Sequence, residues 1–170
     1  QQYILAMSGI LKMQPVDPDV KICYLWQKDY RPSPILRVAI DREEPRCAMA
    51  DTGASVTIVS YSWFHQFSKR WSKEEFEMRR NPDIPRVFGI SGSELCVMGK
   101  YLVCIRIGTG FFPHEVVVIK APGEEYNPTS HKIDMIIGMD FMRRYKVGML
   151  FGVEGKYGAR DLVFVGHQKF

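Results

Sequence analysis

A mainly β domain, carrying a helical insert and one short C-terminal helix, is the fold class this sequence predicts. Three observations lead there. Short β-prone runs recur between Gly- and Pro-rich turns along most of the chain. An apolar run, Cys47-Ala48-Met49-Ala50, climbs to one acidic residue, Asp51, and a second β-prone run leaves from Val56. Helical spacing of apolar residues follows Ser60 and returns briefly after Gly138.

The bulk properties narrow the class. A chain of 170 residues can bury one real core and is short for two. Hydrophobic content of 46% and charged content of 25% are ordinary for a soluble globular protein. No apolar run approaches the roughly 20 residues that span a bilayer, so no membrane role is expected. The first residue is Gln1 rather than Met, which fits a fragment of something longer. The net charge of +4 is mild and its Lys and Arg are dispersed, so nucleic acid is not an expected partner. Cys23, Cys47, Cys96 and Cys104 lack Cys-x-x-Cys spacing, and His65, His114, His131 and His167 are scattered. No metal site is expected, and the cysteines read as reduced core thiols of a cytoplasmic protein.

In chain order, residues 1–34 read as a leader or interface extension. Strands are expected at Tyr3–Met7 and Lys21–Trp26, with a proline-rich loop between them. Arg31-Pro32-Ser33-Pro34 marks a boundary, and a compact domain over 35–170 follows. Ile35–Ile40 and the 47–50 run form a hairpin that delivers Asp51 to its bend. Trp63, Phe64, Phe67 and Trp71 lie at helical spacing, as a face buried against the sheet. Ser72-Lys73-Glu74-Glu75 matches a capping box, so a second helical turn runs from 73 to about Arg80. Two arms around Gly89-Ile90-Ser91-Gly92-Ser93 make a hairpin with a bendable tip. Tyr101–Ile107 and Glu115–Ile119 are strands with Phe111-Phe112-Pro113 between them, and 121–132 is the longest loop. Asp134–Tyr145 reads as strand, glycine turn and short helix, and two strands at 148–153 and 162–165 complete the chain.

Asp51 has two readings on its residues alone. Asp-Thr-Gly is a good turn tripeptide. A carboxylate at the bend between two buried strands is also costly to desolvate, which favours a chemical role.

The order of parts resembles the retroviral-type aspartic proteases, the retropepsins, including those of LTR retrotransposons and the DNA-damage-inducible family. The residues that carry the resemblance are Ala50-Asp51-Thr52-Gly53-Ala54-Ser55, the glycine-rich hairpin tip, and Ile136-Ile137-Gly138-Met139-Asp140 before a short helix. The resemblance covers about Ile35 to Val165 and implies a retropepsin-like half-barrel. It also implies an aspartic endopeptidase with catalytic Asp51, supported by Thr52, Gly53, Ala54 and Ser55. Gly89, Ile90, Ser91, Gly92 and Ser93 would form a substrate-binding flap, and Ile136, Ile137 and Gly138 a support beneath the Asp51 loop. No cofactor or metal is implied.

One Asp-Thr-Gly occurs in the chain, so the resemblance implies a homodimer whose second copy supplies the second carboxylate. It further implies an extended polypeptide substrate, retroelement polyprotein processing, and a location in the cytoplasm or in virus-like particles. Two features depart from the family pattern. The 61–85 insert is longer than in compact viral enzymes, and Met139 stands where many viral members carry Arg. Two rival functions remain. One is a non-cleaving retropepsin-like module for dimerisation or peptide binding, which would not need an intact Asp-Thr-Gly. The other is a β-rich nucleic-acid binder, which would need the basic cluster this chain lacks.

Overall fold

The computed structural model describes residues 20–24, 34–89, 92–120, 133–156, 158 and 160–166. Six strands close a barrel: β2 (Ile35–Ile40), β3 (Arg46–Ala50), β4 (Ile58–Ser60), β5 (Cys96–Ile107), β6 (Gly110–Lys120) and β7 (Met135–Ile137). Around the barrel their order is β2-β3-β7-β4-β6-β5. A separate three-stranded sheet has the order β1-β9-β8, from β1 (Val20–Tyr24), β8 (Gly148–Val153) and β9 (Arg160–Gly166). The predicted mainly β class is what the chain adopts, and its helices lie where the periodicity changes.

Alternation explains the strands. From Gly99 onward β5 turns every second side chain inward, putting Tyr101, Val103, Ile105 and Ile107 into the core. The partner β6 buries Phe112, Val116 and Val118 against them. Helix α1 (Tyr61–Ser68) starts at Ser60, whose hydroxyl accepts from Trp63 N–H. It buries Trp63, Phe64 and Phe67 on one face, as the spacing predicts, but it ends at Ser68, so Trp71 lies beyond the helix and is only half-buried against the core. Helix α2 (Lys73–Arg79) starts at Ser72, whose hydroxyl accepts from Glu75 N–H at 3.0 Å. The reciprocal half of the capping box is diverted: Glu75 pairs instead with Arg79 one turn on. Asp41 staples this insert to the barrel. Its carboxylate accepts from Trp71 Nε1, Arg79 and the Cys104 N–H.

Some expectations change. Phe111-Phe112-Pro113 does not separate two strands but lies inside β6. Proline is tolerated because its partner Cys104 turns both its N–H and its carbonyl to Asp41, so no ladder bond is missing at that pair. The second arm of the 86–99 hairpin and the strand expected at 101–107 are one strand, β5, with a bulge between Val97 and Gly99. Three of the cysteines are not core residues: Cys47 and Cys104 are half-buried and Cys96 is exposed. Of the leader, Val20–Tyr24 pairs antiparallel with β9. The strand expected at Tyr3–Met7 and the 121–132 loop lie outside the described residues. No helix among the described residues is long and apolar enough to cross a membrane.

Candidate active site

Strand polarity positions the site. β3 runs parallel to β7, with Ala50 opposite Ile137, so the two strands end side by side. Beyond these ends lie the loop Asp51–Thr57 and the start of α3 (Met139–Arg144). The two are fastened together at successive points. Asp51 N–H donates to Ile137 O at 3.0 Å, Met139 N–H to Ala54 O at 2.8 Å, and Asp140 N–H to Ser55 O at 3.2 Å.

The loop folds back on its own carboxylate. Gly53 N–H donates to Asp51 Oδ1 at 2.8 Å, and Ala54 N–H to the Asp51 carbonyl at 3.1 Å. A Cβ on Gly53 would stand 3.1 Å from Oδ1, so the tight turn suits glycine. Asp51 itself is partly exposed, while Thr52, Gly53 and Ser55 face solvent and Ala54 is half-buried. The bond to Oδ1 thus comes from a backbone amide, and Ser55 contributes its carbonyl to α3.

Gly138 is the tightest point of the junction. A Cβ there would lie 2.4 Å from Val56 O and 3.0 Å from Ala54 O. Ile137 and Met135 are buried in the core, with Ile136 half-buried on the other face. Among the described residues no cluster of His, Cys, Asp and Glu is arranged to hold a metal ion.

The hairpin expected as a flap has its root in the same region. Phe88 bridges Glu94, Leu95 N–H donates to Val87 O at 2.8 Å, and Arg86 grips Glu94 through two bonds. Gly89 N–H donates to Ser93 O and Gly92 N–H to Gly89 O, both at 2.9 Å. Gly92 has φ +80°, which an L side chain rarely adopts. Ile90 and Ser91 lie outside the described residues. Val87, Leu95 and Val97 from the hairpin pack in one apolar cluster with Val56 and Ile58, at the far end of the Asp51 loop.

Three side chains outside the sequence-predicted site complete the junction. Thr57 Oγ1 donates to Asp140 Oδ1 at 2.7 Å and accepts from Gly138 N–H at 3.1 Å. Thr57 N–H donates to Asp140 Oδ2 at 3.1 Å, and His114 Nε2 reaches the same oxygen at 2.9 Å. Burial pushes the Asp140 carboxyl up, but bonds from His114 and Thr57 outweigh it and hold the group below its ordinary range. The one signal in the sequence is Asp140 itself, an acid in the first turn of a short helix.

No protein-family model matches the sequence, and no curated protein matches it. Solved structures do. The chain is similar to the retroviral protease-like domain of Ddi1 from Leishmania major, with 16% identity, 75% of this chain and 82% of that chain covered, and a TM-score of 0.44. It is similar to EIAV protease complexed with the inhibitor HBY-793, with 16% identity, coverage of 69% and 92%, and a TM-score of 0.47. A retropepsin-like aspartic protease from Rickettsia conorii is matched with 13% identity, coverage of 87% and 93%, and a TM-score of 0.48. All three are retroviral-type proteases or protease-like domains, and the likeness is one of structure at low identity.

Proposed function

We propose that this chain is an aspartic endopeptidase that acts as a homodimer, each copy supplying one Asp51. The observation that carries the reading is the presentation of Asp51. Its carboxylate is partly exposed on a loop held at Oδ1 by Gly53 and bolted to α3 through Ala54, Ser55 and Thr57. A fixed, accessible carboxylate suits acid–base work, and hydrolysis run by carboxyl groups alone takes one ionised and one protonated member around one water.

The sequence holds one Asp-Thr-Gly, so the second carboxylate comes from a second copy. Two carboxylates at hydrogen-bonding distance share one proton and titrate as a pair. The ionised member takes a proton from water as it attacks the peptide carbonyl carbon. The protonated member donates to the carbonyl oxygen. Collapse of the tetrahedral intermediate then transfers a proton to the departing amine, and no covalent enzyme intermediate forms. The hairpin at 86–95 would close over an extended peptide and pair with its backbone. Processing of a retroelement polyprotein, in the cytoplasm or in virus-like particles, is the setting this chemistry fits.

The test is Asp51→Asn in a peptide-hydrolysis assay, with sedimentation of the same samples. The expected result is pepstatin-sensitive hydrolysis by the wild type, loss of hydrolysis in the variant, and a dimer in both. Full activity in the variant, or a wild type that stays monomeric at micromolar concentration, overturns the proposal. A wild-type dimer that binds peptides without cutting them points to the non-cleaving module.

A further inference from the structure

We propose that His114 is a positioning residue for the Asp51 loop, acting through the Asp140 carboxylate and Thr57. The inference rests on the proposed function only for its catalytic consequence; the mechanical part stands on the geometry.

His114 sits in β6 and is buried at 6% exposure, in a barrel whose core is otherwise almost wholly apolar. A polar ring placed there costs desolvation, which its contacts have to offset. Its one hydrogen bond among the described residues is Nε2 to Asp140 Oδ2, and its Nδ1 is buried without a partner there. An ionised carboxylate only accepts, so Nε2 carries the proton and donates it. The ring stands edge-on to Phe141, with centroids 5.4 Å apart at 89°, and lies 6.3 Å from Tyr145 at 68°. Both rings belong to the α3 region, and Tyr145 hydroxyl returns to the Pro113 carbonyl next to His114 in sequence. The imidazole is therefore fixed in plane and in position where Asp140 meets it.

Asp140 is held from several sides. Phe141 N–H and Thr57 Oγ1 donate to Oδ1 at 2.8 Å and 2.7 Å, and Thr57 N–H donates to Oδ2 at 3.1 Å. His114 adds the second bond on Oδ2 from a separate strand, and so braces the plane in which both oxygens face Thr57. Thr57 in turn receives the Gly138 N–H. The chain of bonds runs from β6 through α3 to the end of the Asp51 loop, joining three segments distant in sequence. Charge-assisted bonds of this kind are the strong ones, and a second-layer partner that orients a carboxylate controls how well the first layer is held.

Two variants separate positioning from bulk. His114→Leu removes the donor and keeps an apolar filler. His114→Gln returns an amide donor near the place of Nε2. Amide hydrogen exchange in the full chain reads the junction directly at Thr57, Gly138, Met139 and Asp140, with Val38 and Ile105 as barrel references. The leucine variant is expected to speed junction exchange by about tenfold to a hundredfold while the barrel amides keep wild-type rates. The glutamine variant is expected to restore most of the protection. In peptide hydrolysis, kcat should fall about tenfold in the leucine variant with KM within about twofold, and recover with glutamine.

Junction amides that exchange at the wild-type rate in His114→Leu overturn the proposal, as does equal behaviour of the leucine and glutamine variants. Loosened junction amides with unchanged kcat overturn its catalytic part. A wild type that hydrolyses no peptide refutes the proposed function instead, and the exchange comparison alone then decides the role of His114.

Discussion

Replacing Gly138 with alanine tests the junction at its narrowest point. The glycine has φ −97° and ψ −178°, an extended conformation open to any residue, so backbone strain plays no part. What changes is space. The new Cβ would lie 2.4 Å from Val56 O, 2.5 Å from Val56 C and 3.0 Å from Ala54 O, all backbone atoms that cannot rotate away. Relief requires the Asp51 loop and α3 to separate. That stretches the bonds from Gly138 N–H to Thr57 Oγ1 at 3.1 Å and from Met139 N–H to Ala54 O at 2.8 Å. Overpacking costs about 1–3 kcal/mol and each weakened bond about 0.5–1.5 kcal/mol, so about 3 kcal/mol is a conservative total. For a chain of this length each kcal/mol moves Tm by about 2–4 °C, giving a fall of about 6–12 °C. Thermal unfolding followed by circular dichroism reads this shift, and hydrolysis by the surviving folded fraction should fall with it. A Tm within about 2 °C of wild type would refute the argument, because the junction would then be soft.

Two further expectations concern charge. The folded-state Asp140 carboxyl lies below its ordinary value of 3.8, so its ionised form stabilises the fold fully above that pH and loses the contribution as pH falls through the lower folded value. Urea unfolding of wild type and Asp140→Asn should therefore differ by a constant amount from pH 7 to pH 5 and converge below about pH 3.8; a gap that closes near neutrality contradicts the assignment. Arg79 bonds Asp41 at 3.1 Å and Glu75 at 2.7 Å, donates to Leu102 O at 3.1 Å, and lies 4.5 Å over the Trp71 ring. Arg79→Met keeps the stem and should cost about 1–2 kcal/mol in urea titration, through the half-buried Asp41 left with fewer donors; no measurable change would remove Asp41 as the staple of the insert.

Local signals were legible and distant ones were not. The hairpin into Asp51, the buried face of α1 and the Ser72 cap depend on residues within a few positions of one another, where periodicity and capping act directly. Cys96–Met98 hides that β5 is a single strand, because Gly99 and the bulge interrupt the alternation there. Pro113 reads as a break in sequence, since its tolerance depends on Asp41 drawing the Cys104 backbone away. The site divides the same way. Asp51 and Gly138 stand out through their own neighbours in sequence, whereas Thr57, His114 and Asp140 acquire their roles only when the Asp51 loop, β6 and α3 meet. Nothing local marks a histidine that orients an acid from another element.

The pairing of β1 with β9 has a consequence for how the molecule is made. Val20 faces Gly166 across that ladder, while every strand of the barrel is complete once Ile137 has been joined to the chain. During vectorial synthesis the barrel strands therefore emerge first, with β1 left waiting for a partner that emerges later. Closing so long a connection is entropically slow and exposes an unpaired edge in the meantime. The early strand is thus a timer as much as a structural piece: the three-stranded sheet can form only after nearly the whole described chain has emerged.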